Sequence, residues 1–226
     1  MPVLIWCEIR RELLTFKSII VVAFIVSLSV FIGEFGANVK DALPNGDSSI
    51  YTSLFSLFAL FGFIFSMMIF SGIVASEIES GTIRLILPYF DRKLIYIARW
   101  LAIFSYFIFL IITSIVIVSF LKMQFLIPWG LFGKTACFFA YCSSVVMFVS
   151  SSFSKVKTAN FIGVLIGIGS LIVYIADRID GHSFFHFLDY LMPYQYIDNP
   201  NGGLILVTLS IIFGLLGWFV LTKKEV

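Results

Sequence analysis

Seven ionisable side chains, Glu77, Glu79, Arg84, Asp91, Arg92, Lys93 and Arg99, lie within residues 76–99, SEIESGTIRLILPYFDRKLIYIAR, between two long stretches that have none. Charges of both signs gathered in one short segment suit contact with another protein. Other residues suggest chemistry and fail its spacing rules. His182 and His186 are four apart and can share a helix face, but a zinc protease needs Glu after the first His, where Ser183 stands. Two ligands of the usual three or four leave an interfacial pair without metal as the favoured reading. Gly130–Thr135, GLFGKT, imitates a phosphate loop, yet that loop needs Gly where Pro128 stands, and it sits between apolar runs instead of a strand and a helix. No Ser-His-Asp set and no carboxylate pair can be assembled inside the apolar segments, so no catalytic residue and no metal site is assigned.

The elements that hold these residues are membrane helices. The chain is 60% hydrophobic, 18% aromatic and 12% charged over 226 residues, with a mean hydropathy of +1.06, too apolar for a single water-soluble core. Stretches without ionisable groups run between Lys17 and Glu34, Asp47 and Glu77, Arg99 and Lys122, Lys134 and Lys155, Lys157 and Asp177, and Asp198 and Lys223. A helix needs about 20 residues to cross ~30 Å of hydrocarbon. The first stretch is marginal and is expected to gain Leu13–Phe16 and Phe35. The fold class is therefore all-α, a polytopic membrane protein with six transmembrane helices forming one transmembrane domain over 1–226. Period-two alternation is absent, which disfavours a β-barrel.

Basic residues set the orientation. With the N-terminus inside, the inner segments hold Arg10, Arg11, Lys17, Arg84, Arg92, Lys93, Arg99, Lys155, Lys157, Lys223 and Lys224, and the outer ones only Lys40, Lys122, Lys134 and Arg178. Both termini are expected in the cytoplasm of a multi-pass plasma-membrane protein. The net charge of +2 is a topology signal and gives no reason to expect nucleic acid. No small-x-small site closes the first apolar run, which reads as an uncleaved anchor. Cys7, Cys137 and Cys142 form no disulfide or metal pattern and read as apolar packing residues.

Residues 1–15 mix Leu4, Ile5, Ile9, Leu13 and Leu14 with Glu8, Arg10, Arg11 and Glu12 at helical spacing. They are expected to form an amphipathic interface helix, with Trp6 at headgroup depth. Residues 177–203 combine aromatics with acids and turn residues, and suit a re-entrant or interfacial outer segment. Its Tyr190, Pro193 and Tyr194 are candidates for an outer gate, with a static cap as the alternative. Within the polar hinge, Ser76 and Glu79 match a capping box, so a short helix is expected to begin there. Pro88 is expected to stop it and Asp91 to cap the next one.

Glu77–Lys93, EIESGTIRLILPYFDRK, resembles the pattern of ABC-2 type permeases, in which an acidic pair, Gly-Thr, an apolar turn, Pro and a basic cluster follow the second of six spans. The amphipathic start and the aromatic LDYLMPY before the last span are also similar. The resemblance implies a bacterial ATP-driven exporter whose membrane subunit pairs with a second permease copy, identical or related. A separate cytoplasmic ATPase would bind ATP and Mg, leaving this chain without a cofactor or enzymatic activity. It implies a cytoplasmic coupling helix over 76–92, with Glu77, Glu79, Gly81, Thr82 and Arg84 in the coupling motif. Trp6, Glu8, Arg10 and Arg11 would lie on an interface helix against the same ATPase. The short outer segments depart from relatives that carry a large outer domain. Because no Asp, Glu or His lies within the apolar runs, a carrier driven by protons or sodium is disfavoured. The 27 Phe and 9 Tyr favour an amphipathic or hydrophobic cargo, such as a cytolytic or antimicrobial peptide, a lipid or a drug. A membrane scaffold or sensor docking a cytoplasmic partner through the same hinge is the alternative. An intramembrane metalloenzyme rests on the histidine pair alone.

Overall fold

A computed structural model of the chain describes residues 15–35, 46–83, 88, 91–122, 129–180, 192–196 and 201–224. Among these residues the structure is helical: α1 (Phe16–Phe35), α2 (Gly46–Phe70), α3 (Ile73–Glu79), α4 (Arg92–Lys122), α5 (Trp129–Ser152), α6 (Val156–Asp180), a 3-10 turn (Pro193–Tyr196) and α7 (Gly202–Lys223). Six helical segments are long and apolar enough to cross a membrane, with α2 and α3 together forming the second. Large apolar side chains such as Phe31, Phe109, Phe161, Leu204 and Phe219 point out of the bundle. That is stable where the surroundings are hydrocarbon, so the chain is a multi-pass membrane protein. Phe16 and Phe35 extend the first span as the sequence suggested; Leu13 and Leu14 lie outside the described residues.

α5 is the hub of the bundle, packing on α7, α2, α4, α3 and α6. Its Phe139 stacks on Phe107 of α4 at 4.4 Å between ring centroids, and Phe138, Phe63 and Phe70 fill the space around them. α6 reaches α2 through two glycines four residues apart. A Cβ on Gly163 would lie 2.5 Å from the Ser71 Cβ, and one on Gly167 would lie 3.3 Å from the Ile64 Cα. This is a GxxxG contact, the spacing that lets helix backbones approach closely in lipid.

The helices differ in length, and that difference exposes the site. α4 has 31 residues, about 46 Å at ~1.5 Å per residue, against ~30 Å of hydrocarbon. α1 lies beside only its later part: Ser18 donates to the Tyr106 hydroxyl at 2.8 Å, and Gly33 packs on Leu121. The first turns of α4, with α3 alongside, therefore project past the start of α1. This projecting end also carries Lys155 and Lys223, and is called the basic end below.

Candidate functional site

The hinge at the basic end begins with a break in the second span. Ser71 and Gly72 interrupt the helix, and Gly72 is the N-cap of α3 without a side chain to bond its amides. Helix starts leave such N–H groups without intrahelical partners. Ser150 of α5 supplies the acceptor: its Oγ takes the N–H of Val74 at 2.8 Å and of Ala75 at 3.3 Å. On the other side of the break, Ser71 Oγ donates to Asn160 Oδ1 of α6 at 3.1 Å. The break is thus fastened to two neighbouring spans.

α3 corrects the sequence expectation at Ser76. No helix begins there; Ser76 lies in the middle of α3, with its Oγ turned back to the Ile73 carbonyl. The capping box fails because the helix of the second span resumes at Ile73 and has already satisfied the Ser76 amide through Gly72. Glu77 and Glu79 consequently stand at a helix C-terminus, where the macrodipole disfavours negative charge. Each finds compensation elsewhere. Glu77 is 4% exposed and accepts a charged hydrogen bond from Arg99 of α4, itself 3% exposed. Glu79 is exposed, and its Oε2 accepts the N–H of Val156 at 2.7 Å. Val156 opens α6, so the carboxylate caps a helix that starts 77 residues later, at its favourable positive end.

The apolar runs end at Glu77 and begin at Arg99, but the helices continue through both residues, to Glu79 and back to Arg92. Arg99 was absent from the expected site. The signal for it was present: opposite charges closing and opening two consecutive spans face one another when those spans form a hairpin.

α3 ends at Glu79 with Ser80 as its C-cap, and the Ser80 Oγ bonds the Thr82 hydroxyl at 2.7 Å. Gly81 has φ +71, and a Cβ added there would meet nothing within 4 Å, so its left-handed backbone, not space, calls for glycine. Helical backbone resumes at Thr82–Ile83; Arg84 lies outside the described residues, and Pro88 is in an exposed turn. α4 begins after Asp91 as expected, with the Asp91 carbonyl accepting from Leu94 and Ile95. Glu79, Ser80, Gly81 and Thr82 therefore form an accessible tip, whereas Glu77 belongs to the bundle.

The basic end is closed on its other side by the last helix. Arg92 Nη1 donates to the carbonyls of Thr222 at 3.0 Å and Lys224 at 3.1 Å, occupying acceptors at the end of α7. Lys93 Nζ lies 4.9 Å from the Trp218 ring centroid. Burial holds the Lys224 ammonium below the usual lysine range.

At the opposite end, Pro193 and Tyr194 are buried in the 3-10 turn, and Tyr190 lies outside the described residues. The Tyr194 ring packs against Phe63, Phe138 and Tyr174, with centroids 6.4, 6.3 and 5.2 Å away. Burial raises its phenol above the ordinary range, with Ser170 partly offsetting the rise. Here the turn is wedged between spans. A cavity of about 180 Å³ nearby is lined by Thr52, Ser56, Lys134 and Thr135.

Trp6, Glu8, Arg10, Arg11, His182 and His186 lie outside the described residues. Among the described residues no three His, Cys, Asp or Glu side chains gather into a metal site. No protein-family profile and no curated protein sequence matches the chain. Fold and site together define a helical multi-pass membrane protein with a polar elbow tied into several spans.

Proposed function

We propose that the chain is the membrane permease subunit of an ATP-driven exporter of the ABC-2 type, and that the elbow from Ser76 to Ile83 is where a separate cytoplasmic ATPase delivers work. The observation that carries this reading is the wiring of the elbow. An accessible tip at Glu79–Thr82 continues directly into α3, which is joined to α4 by Glu77–Arg99, to α5 by Ser150 and to α6 by Glu79–Val156. A push on the tip reaches four helices through polar bonds that water-exposed loops would not provide. ATP binding would draw two ATPases together, press two elbows, and tilt two copies of this bundle so that a path opens outward. Hydrolysis in the partner would reset it. In this arrangement the basic end and both termini face the cytoplasm of a bacterial plasma membrane, and residues 1–15 lie against the same ATPase. The spans suit an amphipathic or hydrophobic cargo, with amphipathic peptides as the leading class.

Co-purification with an ATPase encoded beside the chain, followed by cargo-stimulated hydrolysis in lipid vesicles, tests the reading. The chain alone should hydrolyse no ATP. Gly81→Ala should uncouple hydrolysis from transport while the bundle stays folded; unchanged transport would remove the coupling role, and ATPase activity of the isolated chain would remove the assignment.

A further inference from the structure

We propose that the groove between α4 and α7 at the basic end holds one anionic phospholipid, with an acyl chain in the groove and its phosphate at Lys93. The inference requires only that the chain spans a bilayer, and is independent of the permease reading.

The groove encloses about 400 Å³, within the roughly 300–1,000 Å³ of small-molecule sites. Ile97, Ile211 and Leu215 line it and are about half exposed on the outside of the bundle, so it opens towards hydrocarbon. Its deeper polar groups are already used. Trp100 Nε1 donates to Ser144 Oγ at 2.8 Å, and Ser144 and Ser210 bond each other at 2.8 Å. That region offers a tail no polar partner and takes none from it. The end near the start of α4 is different. Tyr96 and Trp218 line the groove there, and the Tyr96 hydroxyl and the Trp218 indole N–H are buried without a hydrogen-bond partner. Lys93, one helical turn before Tyr96, adds an exposed positive charge over the Trp218 ring. An exposed cation beside an apolar slot, whose lining holds two buried donors lacking an acceptor, is complementary to a phosphate carrying a hydrocarbon chain. Zwitterionic lipid brings the same tail with a compensating positive charge, which Lys93 repels.

Vesicles of phosphatidylcholine containing brominated-tail phosphatidylglycerol, or brominated-tail phosphatidylcholine in its place, test this through quenching of tryptophan fluorescence in the full chain. Phosphatidylglycerol should quench at lower mole fraction. Lys93→Ala should weaken that preference roughly fivefold, the factor equivalent to the ~1 kcal/mol that one lysine contributes at an anionic surface, and Lys93→Arg should keep it. Gly214→Leu, which fills the groove and leaves Lys93 in place, should reduce quenching by both lipids. Equal quenching by the two lipids, or a preference that survives Lys93→Ala, overturns the proposal. So does photocrosslinking from Ile211 to a second copy of the chain, since that would show protein covering the groove.

Discussion

Glu77 and Arg99 sit 22 residues apart in sequence and meet as a buried ion pair between α3 and α4 at the basic end. Each charge would be costly there without the other. Removing one partner of such a pair costs about 3–5 kcal/mol, whereas replacing both by apolar residues is often neutral. Glu77→Gln and Arg99→Met should each lower the unfolding midpoint strongly in detergent, and Glu77→Met with Arg99→Met should recover most of the loss. A double variant as unstable as the sum of the singles would show that the residues do not act as a unit.

Glu79 tests the cap that crosses between helices. Glu79→Gln keeps an acceptor for the Val156 amide and loses the charge at the α6 N-terminus, a loss of about 0.3–1 kcal/mol. Glu79→Ala also loses the acceptor, which adds roughly 1 kcal/mol. Hydrogen exchange at Val156–Ala159 should therefore rise in the order wild type, Gln, Ala. Equal protection in all three would mean that α6 starts without help from Glu79.

Ser150→Ala removes the oxygen that serves two backbone amides of α3. Leaving a buried donor unsatisfied costs about 1–3 kcal/mol. Amide exchange should increase at Val74 and Ala75 before it increases elsewhere in the second span. If exchange there stays at the wild-type rate, another acceptor is fastening the break.

Gly81 separates backbone strain from crowding. Its left-handed conformation costs a residue with Cβ roughly 1–2 kcal/mol, and nothing nearby would obstruct the added atom. Gly81→Asn should be milder than Gly81→Ala in thermal unfolding, because Asn tolerates that conformation. The reverse order would point to packing.

Tyr194 fills space more than it bonds. Its hydroxyl reaches the Leu60 carbonyl at 3.4 Å and also interacts with the Ser170 side chain, so Tyr194→Phe should cost only about 0.5–1.5 kcal/mol. Tyr194→Ala should cost about 3–5 kcal/mol, the usual range for losing a buried aromatic ring. With Cys7 and Cys137 replaced by Ala, Tyr194→Ala should also let a small maleimide reach Cys142, which is fully buried in the native bundle. Unlabelled Cys142 in the folded variant would argue against a wedge.

The six spans were legible because continuous apolar runs of sufficient length have one stable form in lipid. Asp91 as the start of α4 was legible for a local reason, since it precedes the first helical residue. Ser76 was misread because S-x-x-E has the same appearance in mid-helix as at a cap; only the break at Gly72 places the start of α3 earlier. Ser150 could not be read from local pattern, as its partner lies 76 residues away, and Arg99 emerges only when the charges at the ends of two consecutive spans, 22 residues apart, are compared. The GxxxG at Gly163 and Gly167 carries a recognisable spacing, yet the surface it faces is fixed only once α2 is beside it.

The ion pair also bears on how the chain is made. Glu77 and Arg99 belong to consecutive spans, so both have left the ribosome before α5 exists to shield either. An arginine entering the translocon alone would resist integration by about 2.5–3.5 kcal/mol at mid-bilayer depth and less towards the interface. Meeting Glu77 in the same hairpin lowers that barrier and makes the second and third spans a joint unit of insertion. In a glycosylation-mapping assay on nascent chains, replacing Glu77 should reduce integration of the third span while leaving the first unaffected.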